Sequence, residues 1–100
     1  MKKWGIVLSG LALALLLGPN PAPAQEINGE ELIGRLGCRA CHALKGQGGA
    51  KGPDWDGVGA RLTPEQLKQQ ILFPQKRMPS YAHLQPEELK AVVEYLKGLR

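Results

Sequence analysis

The amino-acid sequence predicts an all-α fold in one small domain. Three segments of the 100-residue chain place apolar residues at helical spacings, and the last two of these segments open with a proline, as helices often do. No segment shows the apolar and polar alternation of a half-buried strand, and no internal repeat is present in the sequence.

The first predicted helix spans residues 26–35 and leads directly into the only two cysteines of the chain. Its apolar stripe consists of Leu32, Ile33 and Leu36. Residues 43–60 follow as a long loop, because six glycines interrupt any periodicity there.

The second predicted helix begins after Thr63, which acts as the N-cap, with Pro64 at the first helical position and Gln66 completing a pattern like a capping box. Pro74 ends this helix, and residues 75–84 form a second loop. The residues expected to face inward are Leu67, Ile71 and Leu72.

The last segment has the strongest helical pattern. It starts at Pro86 with two acidic residues in the first turn, which favour the positive end of the helix dipole. Its continuous apolar stripe consists of Leu89, Val92, Val93, Leu96 and Leu99.

The N-terminal segment is typical of a secretory signal peptide. A short basic start, an apolar run over residues 4–18 and a turn-prone tail with small residues follow one another. An uncleaved anchor is the alternative, but a spanning helix usually needs about 20 apolar residues and this run has 15. We expect cleavage after Ala24, which makes residues 1–24 the signal peptide and residues 25–100 a soluble periplasmic domain.

The charge balance argues against binding to nucleic acid. Net charge is +4 for the whole chain and +2 once Lys2 and Lys3 leave with the signal peptide. The sequence contains no dense arginine run and no basic stripe with interleaved aromatic residues. The mature chain would also have only 76 residues, and domains of this size commonly need a disulfide, a metal or another staple.

Cys38, Cys41 and His42 lie together in the segment GCRACH. On a helical turn, positions i, i+3 and i+4 share one face, so these three side chains can reach the same object. A haem accepts all three, because its vinyl groups form thioether bonds with two cysteines and its iron binds the histidine nitrogen. The spacing is the attachment signal for c-type haem, and the predicted export agrees with it.

Three other interpretations of this motif are weaker. A thioredoxin-like redox pair would follow a strand, and no strand pattern precedes Cys38. A zinc finger would place its two histidines a few residues apart, whereas His42 and His83 are distant in sequence. A structural disulfide with an unrelated histidine is the third alternative.

Several later segments, together with GCRACH, make residues 30–100 resemble a small bacterial monohaem class I cytochrome c. They are Gly52-Pro53, Gly57-Val58-Gly59, Arg77-Met78-Pro79 and the last helix with Tyr95 near its end. The resemblance implies the class I cytochrome c fold: three to four short helices and glycine-rich loops wrapped around one covalently bound haem c. It also implies that the first and last helices cross, which would join Leu32, Ile33 and Leu36 to Val92, Tyr95 and Leu96.

The resemblance makes Met78 the expected sixth ligand of the iron, opposite His42. Met78 is the only methionine of the mature chain and lies in a polar loop, where a core role explains it poorly. The alternative ligand is His83, which would lower the reduction potential relative to methionine. The resemblance further implies that the Pro53 carbonyl accepts a hydrogen bond from the ring of His42. Trp55 is either a donor to the haem propionates or a packing residue, and Arg61 is either such a donor or a solvated charge.

With both axial positions filled, the iron has no open site for a substrate, so the sequence predicts electron transfer and no enzyme activity. We expect a monomeric one-electron carrier with no small-molecule substrate that docks transiently on redox partner proteins. The expected docking rim consists of Arg39, Lys45, Lys51, Lys76 and Arg77. Alternatives are a dedicated cytochrome c subunit of a periplasmic oxidoreductase complex, and a ligand-binding sensor in which Met78 leaves the iron open.

Overall fold

The computed structural model describes Gly18 and residues 26–100. Four α-helices occur in that part of the chain, and they are α1 (Gly29–Leu36), α2 (Val58–Arg61), α3 (Pro64–Leu72) and α4 (Pro86–Lys97). Over the same residues there is no strand, only an isolated bridge in the loop after α1, so the all-α prediction is confirmed. The predicted signal peptide lies outside the described residues except for Gly18.

The first helix is shorter than the sequence predicts. The Oδ1 of Asn28 accepts a hydrogen bond of 3.0 Å from the N–H of Glu31, and this cap starts α1 three residues later than expected. The helix ends at Leu36 and is capped by Gly37, whose φ of 78° lies in the left-handed region that glycine adopts at little cost. A short 3-10 turn, Cys38–Ala40, follows immediately.

The start of α3 is confirmed. Thr63 Oγ1 accepts a hydrogen bond from the N–H of Gln66 at 3.1 Å, and Gln66 Oε1 accepts one from the N–H of Thr63 at 2.9 Å. The helix stops at Leu72, two residues before Pro74, because a proline disfavours helical backbone in the residue that precedes it.

Helix α2 corrects the prediction of a continuous loop over residues 43–60, since its first three residues lie within that range. A helix of four residues is too short to produce a periodic pattern, and the low helix propensity of Gly57 and Gly59 predicts a loop at this position. The helix forms because Val58 is buried and Gly59 lies directly against the backbone of Lys97.

The core lies around α4, on which α1, α2 and α3 all pack. Its buried residues are Leu32, Ile33, Trp55, Val58, Leu67, Ile71, Val92 and Leu96. Helices α1 and α4 pack on each other. At Gly29 the backbone of α1 lies directly against α4, because a Cβ there would be 2.5 Å from the carbonyl oxygen of Ala91 and 2.9 Å from Tyr95 Cβ. Among the described helices, none is both long and apolar enough to cross a membrane.

Candidate functional site

Cys38, Cys41 and His42 occupy the tight turn that follows α1. The N–H groups of Cys41 and His42 both donate to the carbonyl oxygen of Cys38, at 3.2 and 3.1 Å. Both thiols are partly exposed, and neither is in a disulfide. The turn therefore presents two free thiols and one imidazole within five residues.

Arg39 is hydrogen-bonded to the backbone of the loop that follows this turn. Its Nε donates to the carbonyl oxygen of His42 at 3.2 Å, and its Nη2 donates to the carbonyl oxygen of Gln47. Its own carbonyl accepts a hydrogen bond of 2.9 Å from the N–H of Gly49. The guanidinium is thus bound to backbone carbonyls, a role that the sequence analysis did not assign to this residue.

The Nδ1–H of His42 donates a hydrogen bond of 2.6 Å to the carbonyl oxygen of Pro53. A carbonyl can only accept, so the contact places the proton of the neutral ring on Nδ1. The other nitrogen, Nε2, then carries a free lone pair, as a metal ligand requires.

Two further contacts orient the His42 ring. The indole of Trp55 stacks on it with ring centroids 5.0 Å apart and an angle of 16° between the planes. The backbone of Gly52 also lies against it, because a Cβ on residue 52 would be 2.5 Å from Cε1. Trp55 is itself buried, and its backbone N–H donates to the carbonyl oxygen of Ala43 at 2.8 Å. Sequence reasoning did not foresee either contact, since neither spacing nor residue type indicates which group packs on an imidazole.

Met78 is half-buried in the loop between α3 and α4. The Nε2 of Gln70, on α3, donates to its sulfur at a distance of 3.7 Å. A thioether sulfur has two lone pairs, so this contact leaves one of them free for a metal. Neither the residue type of Gln70 nor its spacing from Met78 indicates this contact in the sequence, because the loop brings the two side chains together only in the folded chain.

Tyr81 contacts the cysteine turn from the methionine loop. Its hydroxyl donates to the carbonyl oxygen of Leu36 at 3.0 Å and also lies beside the Cys38 thiol. Burial raises the pKa of Cys38, and the Tyr81 hydroxyl partly offsets that shift. Burial also raises the pKa of Tyr81, and the neighbouring Cys38 adds to the effect. His83 is exposed, with its ring centroid 6.0 Å from that of Tyr81.

The remaining predicted residues lie on the surface. Arg61 Nη2 donates to the carbonyl oxygens of Asp54 and Asp56, at 3.1 and 3.2 Å, and so closes the loop around Trp55. Four members of the predicted basic rim are exposed, namely Lys45, Lys51, Lys76 and Arg77. None of these four forms an ion pair with another residue in the described part of the chain.

The donor set fits a c-type haem better than the alternatives. Within residues 26–100, no three His, Cys, Asp or Glu side chains are grouped to hold a metal ion, which removes the ligands that a zinc site needs. A thioredoxin-like redox pair would follow a strand, but here helix α1 precedes Cys38 and a 3-10 turn contains it. Two free thiols, an imidazole with an unprotonated Nε2 and a thioether are the groups that bind haem c.

Comparison with protein families gives one result. A family model described as cytochrome c oxidase, cbb3-type, subunit III matches residues 24–96. Searches of curated proteins and of solved structures found no match.

Proposed function

The chain belongs to the family described as cytochrome c oxidase, cbb3-type, subunit III, and on that basis we propose that it is a periplasmic one-electron carrier with His42 and Met78 as axial ligands. Because it belongs to this family, the chain is a small monohaem c-type cytochrome, an electron-transfer protein with one covalently bound haem c. When bound, the haem supplies an iron that moves one electron by cycling between the ferric and ferrous states.

The observation that carries the ligand proposal is the hydrogen bond between His42 and Pro53. It fixes the tautomer, leaves Nε2 unprotonated and makes the imidazole a stronger electron donor. Cys38 and Cys41, one helical turn apart on the same segment, supply the two thiols for thioether bonds. The Met78 sulfur keeps a lone pair for the second axial position.

The exposed cations support a role as a shuttle between proteins. Four exposed positive charges form no ion pair within the described residues. Two lie on the loop after the cysteine turn, Lys45 and Lys51, and two on the loop that carries Met78, Lys76 and Arg77. Such charges increase the rate of encounter with acidic partners and are screened by salt. We expect electron transfer to an acidic redox partner to slow as ionic strength rises, and a rate independent of salt would contradict this part of the proposal.

An optical spectrum and an intact mass of the purified protein test the proposed site. We expect the mass of residues 25–100 plus one haem, and a weak far-red band in the ferric protein that is typical of methionine ligation. A mass without haem would overturn the attachment role of Cys38 and Cys41. Carbon monoxide binding to the reduced protein at neutral pH would indicate an open iron and support a sensor function.

The family description favours a second candidate, a cytochrome subunit held within an oxidase complex. A permanent subunit generally uses a large apolar interface. Within the described residues, Phe73 is the single large hydrophobic side chain that is strongly exposed, at 68%, and isolated exposed apolar residues are normal in monomers. Size-exclusion chromatography of a native extract separates the two functions, because the carrier elutes alone and the subunit elutes with its complex.

A further inference from the structure

The loop between α3 and α4, residues 73–85, carries Met78 and is attached mainly to α3. Ser80 Oγ donates to the carbonyl oxygen of Leu72 at 2.8 Å, and the backbone N–H of Tyr81 donates to the carbonyl oxygen of Ile71 at 3.0 Å. Of the hydrogen bonds within the described residues, one alone connects this loop to α1. It runs from the Tyr81 hydroxyl to the carbonyl oxygen of Leu36, 45 positions earlier in the chain.

The acceptor of this bond has a special position. Leu36 is the last residue of α1, and the carbonyls of a last helical turn have no partner within the helix. The Tyr81 hydroxyl satisfies one of them, two residues before Cys38. A tyrosine hydroxyl is protonated at neutral pH, so it is available as the donor of this hydrogen bond.

We propose that Tyr81 is a positioning residue that holds the Met78 loop against the cysteine turn and so keeps Met78 on the iron when another ligand competes. Tyr81 is three residues from Met78 and is bonded at its backbone to α3 and at its side chain to α1. For the sulfur to leave, the loop must move away from the segment that holds Cys38, and the hydroxyl bond opposes that movement. This inference rests on the proposed ligation by Met78.

The test measures how readily imidazole displaces the methionine from the ferric holoprotein. Tyr81→Phe keeps the aromatic ring and removes only the hydroxyl. We expect the variant to bind imidazole about three- to tenfold more tightly, as the loss of one intramolecular hydrogen bond implies, with parallel loss of the far-red band. The matched control is Tyr95→Phe, since the Tyr95 hydroxyl makes no hydrogen bond to a described residue, and its affinity should equal that of the wild type.

A second pair of variants separates this role from general packing. In a Met78→Ala background no sulfur has to be displaced, so adding Tyr81→Phe should leave imidazole affinity unchanged. An equal increase in both backgrounds would overturn the inference, and so would unchanged affinity in Tyr81→Phe alone. Absence of the far-red band in the wild type would instead overturn the ligation by Met78, and this inference with it.

Discussion

The backbone of Gly52 lies against the imidazole of His42 so closely that no other residue fits at position 52 without movement. A Cβ there would be 2.5 Å from Cε1, 2.9 Å from Nδ1 and 3.1 Å from Nε2. Gly52 directly precedes Pro53, whose carbonyl oxygen accepts the hydrogen bond from Nδ1 at 2.6 Å. The same dipeptide therefore sets both the position of the ring and its tautomer.

Gly52→Ala should weaken the support of His42. The added methyl group must push the ring or residues 52–53 aside, at a cost of about 1–3 kcal/mol in the free energy of unfolding of the holoprotein. A longer Nδ1 hydrogen bond makes the imidazole a poorer donor to ferric iron, so the reduction potential should rise. Urea unfolding and a redox titration measure the two effects.

Gly34→Ala is the matched control for this variant. A Cβ at residue 34 meets no atom within 4 Å, and the residue is exposed within α1. Alanine should therefore stabilise the helix by about 0.5–1 kcal/mol and leave the reduction potential unchanged. If the two alanine variants behave alike, the contact between Gly52 and His42 has no energetic role.

The hydrogen bond from Gln70 to Met78 should raise the reduction potential. An N–H that donates to the sulfur withdraws electron density, so the thioether stabilises ferric iron less. Gln70→Leu should lower the potential by about 30–60 mV, which corresponds to a three- to tenfold change in the redox equilibrium for one electron. Gln70 is exposed, so the added leucine changes the surroundings of the iron little.

Gln69→Leu is the control for this prediction, because Gln69 is the preceding residue of α3, is also exposed and makes no side-chain hydrogen bond to a described residue. Its potential should match that of the wild type. A shift of the same size in both variants would mean that any loss of a polar side chain from α3 changes the potential, and that the contact with Met78 has no specific effect.

Met78→Ala and His83→Ala distinguish the two candidate axial ligands. Loss of the ferric far-red band and new carbon monoxide binding are expected in the first variant, because a vacant position opens on the iron. His83 is exposed next to Tyr81, and its replacement should leave the spectrum and the reduction potential unchanged. The reverse result would identify His83 as the ligand.

The sequence predicted the helices that have strong local signals, and it did not predict the helix whose formation depends on tertiary contacts. The capping box of Thr63 and Gln66 and the stripe of α4 are visible within a few residues, and both helices were located correctly. Helix α2 was missed because it depends on the burial of Val58 and on the close approach of Gly59 to Lys97. These are partners almost 40 residues away in the chain.

The candidate site divides in the same way. Cys38, Cys41 and His42 form a local motif, and the resemblance to cytochromes c pointed to Met78 and Pro53. The contacts of Trp55, Gly52, Gln70 and Tyr81 could not be predicted, because each joins two segments that only the folded chain brings together. Arg39 was assigned to the basic rim for its charge, and only the structure shows its bonds to backbone carbonyls.

Gly29→Ala should destabilise the protein at the crossing of α1 and α4. A Cβ at residue 29 would lie 2.5 Å from the Ala91 carbonyl oxygen and 2.9 Å from Tyr95 Cβ, so the helices must separate. We expect a loss of about 1–3 kcal/mol, measured by urea unfolding of the holoprotein. Gly98→Ala is the control, since its Cβ would meet backbone oxygens at 3.4 Å or more and should change stability by less than about 1 kcal/mol. Equal stability of both variants would mean that the crossing tolerates a side chain at residue 29.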